Sequence, residues 1–145
     1  MKILVTAILL LITAPAYAGF LDNFKAEQIS NHVWVIHGPL ELPNEKNEGF
    51  MNNPAFVVTD EGVVVVDPGS SVHTGNMLLR EIRKVTDKPV IAVFDTHVHG
   101  DHWLGNDAIK RAFPEADIYA HHKTISMIDG GEGQTWLDLM HDMTK

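Results

Sequence analysis

Apolar residues in this chain fall into short runs separated by glycine, proline and polar breaks, the pattern of strands alternating with helices. Ala26–Ser30 and the β-forming run Val33–His37 read as strands, with Asn31 as the turn residue between them. The preceding Gly19–Lys25 reads as a loosely held stretch. Gly38–Gly49 contains Pro39, Pro43, Asn44 and Asn47 and reads as a surface loop. Ala55–Thr59 and Val63–Asp67 flank the turn Asp60-Glu61-Gly62, so a β-hairpin is expected. The unbroken valines of its second strand suggest burial on both faces. Ser70 or Ser71 can cap a helix running to about Val85, with Leu78, Ile82 and Val85 as its buried stripe. Val90–Phe94 reads as a buried strand. A helix over Asp107–Phe113 is stopped by Pro114, and Ala116–Ala120 reads as a further strand. Lys123–Asp129 is expected to be helical, Gly130–Gly133 to break it, and Trp136, Leu139, Met140 and Met143 to mark a last amphipathic helix. This alternation predicts an α/β domain.

The first 18 residues do not belong to that domain. Met1-Lys2, the apolar run Ile3–Ile12 and Ala16-Tyr17-Ala18 have the charged start, apolar core and A-x-A site of a secretory signal. The run is well short of the roughly 20 residues a spanning helix needs. Cleavage after Ala18 and export to the periplasm are expected, leaving 19–145 as one small domain with no membrane attachment. The chain carries a net charge of −8, and removal of Lys2 with the leader makes it −9. An acidic surface argues against nucleic acid and anionic membranes as partners, and a small-molecule substrate is expected instead. The absence of cysteine excludes a disulfide, a lipid-attachment site and cysteine–zinc sites, leaving His, Asp and Glu as candidate ligands.

Such ligands concentrate in one place. His97-x-His99-x-Asp101-His102 follows the apolar strand directly. On extended chain, side chains two apart point the same way, so His97 and His99 are expected side by side. Gly100 permits a sharp change of direction that lets Asp101 and His102 aim at a neighbouring point. Imidazole and carboxylate are preferred zinc donors, and the arrangement reads as one pair of ligands for each of two metal ions. The remaining histidines are less specific. His32 and His37 read as ordinary strand-end residues, His73 as exposed, and His121-His122 as non-ligating.

This motif, with Trp103-Leu104-Gly105-Asn106 after it and Gly62–Gly69 before it, resembles the signature of the metallo-β-lactamase superfamily. The similarity runs from about Ile29 to about His122. Within the superfamily, Asn53–Val58 and Val85–Val90 are similar to periplasmic hydrolase-like members of the SoxH type. The resemblance implies an α/β fold, the N-terminal half of an αβ/βα sandwich with a mixed sheet and helices on its outer face. It implies that His97 and His99 bind one Zn2+, that Asp101 and His102 bind a second, and that Asp101 positions the attacking water and manages its proton. It also implies that Asp67 supports the metal loop from behind, and that the loop around Leu40, Leu42 and Phe50 overhangs substrate.

In relatives the remaining ligands lie well downstream, so these 145 residues are expected to be an N-terminal portion, inactive as they stand. The expected chemistry is hydrolysis of an ester, thioester or amide-type substrate. Two alternatives share the ligand set: a non-catalytic periplasmic metal-binding protein, and an iron-dependent sulfur dioxygenase of the same fold.

Overall fold

The computed structural model describes residues 19–145; the leader-like segment 1–18 lies outside the described residues. Six strands form one sheet in sequence order: β1 (Ala26–Ser30), β2 (Val33–Ile36), β3 (Ala55–Val58), β4 (Val63–Val66), β5 (Val90–Asp95) and β6 (Asp117–Ala120). β1 to β4 are antiparallel neighbours, whereas β4, β5 and β6 run parallel. The switch follows from the connections. Short turns join β1 to β2 and β3 to β4, a longer loop over residues 37–54 joins β2 to β3, and helix α1 (Val72–Val85) crosses between β4 and β5, as a parallel pair requires. α2 (Gly100–Trp103) and α3 (Asn106–Ala112) cross between β5 and β6, and α4 (His122–Met127) and α5 (Gly133–Met143) follow β6. A wide helical turn, Ile128–Glu132, joins the last two, with Gly131 at φ 119° where a side chain would be strained.

The registers sort the side chains onto two faces. Phe56, Val65 and Val93 lie directly across from one another and are fully buried, in one cluster with Met77, Leu78 and Ile82 of α1 and Ile109 of α3. The next row, Ala55, Val66, Phe94 and Tyr119, points to the opposite face. There Phe94 and Tyr119 stack at 5.1 Å yet remain 46% and 48% exposed. The sheet is therefore covered by helices on one face and largely open on the other. Val64 and Val66 are only half-buried, so the valine run is not buried on both faces, and Phe94 is not a buried strand position.

Other expectations change for local reasons. α1 is capped by Ser71, whose hydroxyl accepts the Thr74 amide at 3.2 Å. Its buried face is Thr74, Met77, Leu78, Glu81 and Ile82, while Val85, at the last turn, is 37% exposed. The segment before β1 is not loose. Phe20–Asn23 forms a short 3-10 turn that buries Leu21, and Arg80 of α1 donates to Asp22 at 2.9 Å. Phe50 is fully buried, edge-on to Phe24 at 4.9 Å, so it cannot overhang substrate, whereas Leu40 and Leu42 are exposed. Among the described residues no helix is long and apolar enough to cross a membrane.

Candidate metal centre

Parallel strands deliver their C-terminal ends to one edge, and β4 and β5 deliver the chemistry there. Asp67 directly follows β4, held at φ 52° in the left-handed region that disfavours most side chains but suits aspartate better than most. Its carboxylate is buried and fully engaged. Oδ1 accepts the Thr96 amide at 2.8 Å. Oδ2 accepts the Thr96 hydroxyl at 2.8 Å and faces Nδ1 of His102 at 2.8 Å. Burial works against ionisation of Asp67, but the hydrogen bonds from His102 and Thr96 outweigh it and hold the carboxyl below its ordinary range.

β5 ends at Asp95, and the chain then bends through Thr96–Val98 before α2 begins at Gly100. The His97 and His99 rings sit 4.6 Å apart and those of His97 and His102 4.1 Å apart, so the three imidazoles form one cluster. Asp101, buried at the start of α2, places Oδ2 3.1 Å from Nε2 of His102. His102 thus lies between two carboxylates, one at each ring nitrogen. Burial would lower its pKa, but hydrogen bonds to Asp101 and Asp67 and their charges raise it to about 9. His97 moves the other way. Burial and the neighbouring His102 and His99 charges lower it, keeping its imidazole neutral. The Thr96 hydroxyl has one proton and gives it to Asp67, so towards His97 Nδ1, 2.9 Å away, it accepts. That fixes the proton of His97 on Nδ1 and leaves Nε2 as a free donor atom.

Two further features support the loop. The indole N–H of Trp103 donates to the Val98 carbonyl at 2.8 Å, pinning the backbone between the first two histidines. The amide of Asn106 donates to Asp95 Oδ2 at 2.7 Å, while Asp95 Oδ1 and Asn106 Oδ1 are buried without a partner. Burial pushes the Asp95 carboxyl up to about 6, with the Asn106 hydrogen bond opposing and the Asp67 charge adding to the rise. Gly100 is needed for space rather than for an unusual dihedral. A Cβ there would lie 2.8 Å from Trp136 Cβ and 2.9 Å from Leu104 Cδ1.

The structure therefore brings His97, His99, Asp101 and His102 to one edge and backs them with Asp67. The remaining histidines lie elsewhere. His121 and His122 stack on each other at 4.1 Å on the surface, and His121 accepts the Lys123 amide at the start of α4. His73 pairs with Glu48, and His37 lies 3.5 Å from Glu27. The neutral His97, its oriented lone pair and the adjacent nitrogen–oxygen pair of His102 and Asp101 suit a borderline cation such as zinc. Among the described residues, though, no group of three or more ligands is arranged to hold a metal ion by itself. Thr96, Asn106 and Trp136 went unremarked as site residues in the sequence. Thr96 and Asn106 lie beside the motif in sequence and could have been suspected, but Trp136 reaches it only through tertiary packing.

Comparison with known proteins bears on the family and the fold. The family model described as the metallo-beta-lactamase superfamily matches residues 47–141, more than half of the chain. The chain is 32% identical over 76 residues to a protein of Streptococcus pyogenes named as a probable metallo-hydrolase, covering 52% of this chain and 31% of that one. It is 48% identical over 79 residues to the linear primary-alkylsulfatase of a Pseudomonas species, covering 50% of this chain and 15% of that enzyme. A solved metallo-beta-lactamase from Pontibacter korlensis superposes with a TM-score of 0.60 at 22% identity, over 74% of this chain and 47% of its own. The chain thus spans less than half the length of the relatives it matches.

Proposed function

The chain belongs to the metallo-β-lactamase superfamily, and we propose that it is the N-terminal part of a zinc-dependent hydrolase. In this reading His97 and His99 hold one Zn2+ and Asp101 and His102 a second, with the remaining ligands supplied from outside these residues. Bound there, zinc would polarise the reacting centre and make a water acidic enough to lose its proton near neutral pH. The chain's own groups do the rest. Thr96 keeps the His97 proton on Nδ1, so that Nε2 faces outward. Asp67 accepts from Nδ1 of His102, which frees Nε2 once the ring has given up its second proton. Asp101, the proposed catalytic carboxylate, orients the attacking water and takes up its proton.

The observation that carries this reading is the Asp67–Thr96–His97 and Asp67–His102 network. It orients two candidate ligands and resembles the outer support that metal-binding histidines require. The likeness to an alkylsulfatase favours an ester-type substrate. Residues 1–18 support export and cleavage after Ala18, which N-terminal sequencing of the protein from periplasmic extract would check.

The test is metal analysis of the purified chain together with an assay on an alkyl sulfate, an S-acyl thioester and a β-lactam. Zinc uptake that is weakened in both His97→Ala and His102→Ala is the expected result, with no turnover by these 145 residues alone. Uptake indifferent to both substitutions would remove the metal reading. Brisk hydrolysis by the isolated chain would overturn the proposal that further ligands are needed.

A further inference from the structure

Each imidazole of the motif needs something to fix its ring, because a freely turning ligand loses entropy on binding. His97 has Thr96 and His102 has Asp67 and Asp101. The His99 ring makes no hydrogen bond among the described residues, and His99 is exposed. What it does touch is Trp136. The indole of this α5 residue lies with its ring centroid 4.9 Å from that of His99, the planes inclined by 41°.

The placement of Trp136 is enforced by the backbone. α5 settles directly onto the first residue of α2, where Gly100 leaves room: a Cβ there would meet Trp136 Cβ at 2.8 Å and Cγ at 3.1 Å. On the other side of His99, Trp103 holds the Val98 carbonyl. The ring of His99 is therefore bounded by His97 at 4.6 Å and Trp136 at 4.9 Å, with its backbone pinned between.

We propose that Trp136 is a positioning residue that holds the His99 imidazole in its ligating orientation and walls that side of the metal centre. The role rests on the reading that His99 is a metal ligand. It gives α5, which lies about 30 residues beyond the motif in sequence, a direct function in the site. An aromatic face is required, since only a flat ring restrains imidazole rotation without competing for its nitrogens.

Zinc affinity of the whole chain is measured by calorimetry for wild type, Trp136→Phe, Trp136→Leu, His99→Ala and the Trp136→Leu/His99→Ala double variant. Leucine keeps α5 docked by its apolar bulk but lacks the ring. Circular dichroism checks that the helix content is unchanged. Trp136→Leu is expected to weaken zinc about tenfold, the scale of lost ligand support, with Trp136→Phe close to wild type. In the His99→Ala background, Trp136→Leu should have no further effect. In metal-free chain, the His99 ring protons should carry an upfield ring-current shift in NMR that Trp136→Leu abolishes and Trp136→Phe largely keeps. Equal weakening by leucine and phenylalanine, or full weakening in the His99→Ala background, would show that Trp136 acts only by packing α5 and would overturn the proposal. Zinc uptake unchanged by His99→Ala would remove the ligand reading itself, and the role with it. A ring-current shift that survives Trp136→Leu would overturn the contact alone, leaving the ligand reading standing.

Discussion

Substitution of Asp67 by Asn is the most direct probe of the site, because one carboxylate carries three interactions. Asn tolerates the left-handed backbone at φ 52° better than most residues, so the change tests the side chain rather than the turn. The amide oxygen can still accept from one Thr96 donor, but its NH2 cannot accept from the other or from His102. The rise of His102 from 6.5 to about 9 corresponds to roughly 3 kcal/mol of preference for the protonated ring, shared between Asp67 and Asp101. Losing the Asp67 share removes about 1–2 kcal/mol, whereas Thr96 is exposed, so water can satisfy the donor that Asn leaves unmatched. The metal-free chain should therefore lose about 1–2 kcal/mol of stability near pH 6.

The pH dependence gives the sharper check. A group whose folded pKa is raised contributes fully below its unfolded value of 6.5 and loses that contribution as pH climbs through about 9. Wild-type chain in a chelator should thus weaken between pH 6.5 and about 9, and Asp67→Asn should show a shallower fall over the same window. Urea titrations at several pH values measure the stability, and NMR of the His102 ring protons measures the titration. Wild-type His102 titrating near 6.5, or an Asp67→Asn chain with undiminished stability and an unmoved His102, would refute the reasoning.

Zinc binding should release close to one proton from His102 at pH 7, seen as a dependence of the calorimetric heat on buffer ionisation enthalpy; no proton release would count against His102 as a ligand. Gly105→Ala should cost more than about 2 kcal/mol in urea unfolding, because its Cβ would lie 2.5 Å from the Pro68 carbonyl oxygen, a backbone atom that cannot step aside. Phe94→Ser with Tyr119→Ser should reduce self-association in analytical ultracentrifugation with little loss of stability, since both rings stand on the open sheet face; unchanged association would mean that this face is not adhesive.

The elements were legible because their signals are local. The Asp60-Glu61-Gly62 turn between two apolar runs gives the hairpin, and Ser71 ahead of an amphipathic stretch gives α1. His97-x-His99-x-Asp101-His102 announces its own chemistry. Burial was less legible, because it depends on what lies across the sheet. Phe56 and Phe94 are both aromatic strand residues, yet register puts the first under α1 and the second on the open face. Phe50 has the surroundings of a surface loop in sequence, but the loop folds its ring inward against Phe24. Gly100 illustrates the same limit: a glycine in a motif suggests a turn, and only the arrival of Trp136 from α5 shows that it is space that matters.

The direction of the strands explains why the site and the open face belong to one design. β4 and β5 run parallel, so the residues just after them, Asp67 and Thr96–His99, emerge at the same edge. Their register places Val66 across from Phe94, one residue before each strand reaches its acidic end. Asp67 therefore sits one step beyond a residue on the open face, and its carboxylate reaches across to Thr96 and His102. A sheet layer packed on Val66, Phe94 and Tyr119 would bring its own edge next to His97 and Asp101. Burying those rings would also draw water away from the carboxylates and imidazoles, strengthening every electrostatic interaction there. If the layer that covers the open face also carries the missing ligands, a partner segment supplied in trans should raise zinc affinity and thermal stability together. A segment that raised one without the other would show that the face and the metal centre are independent.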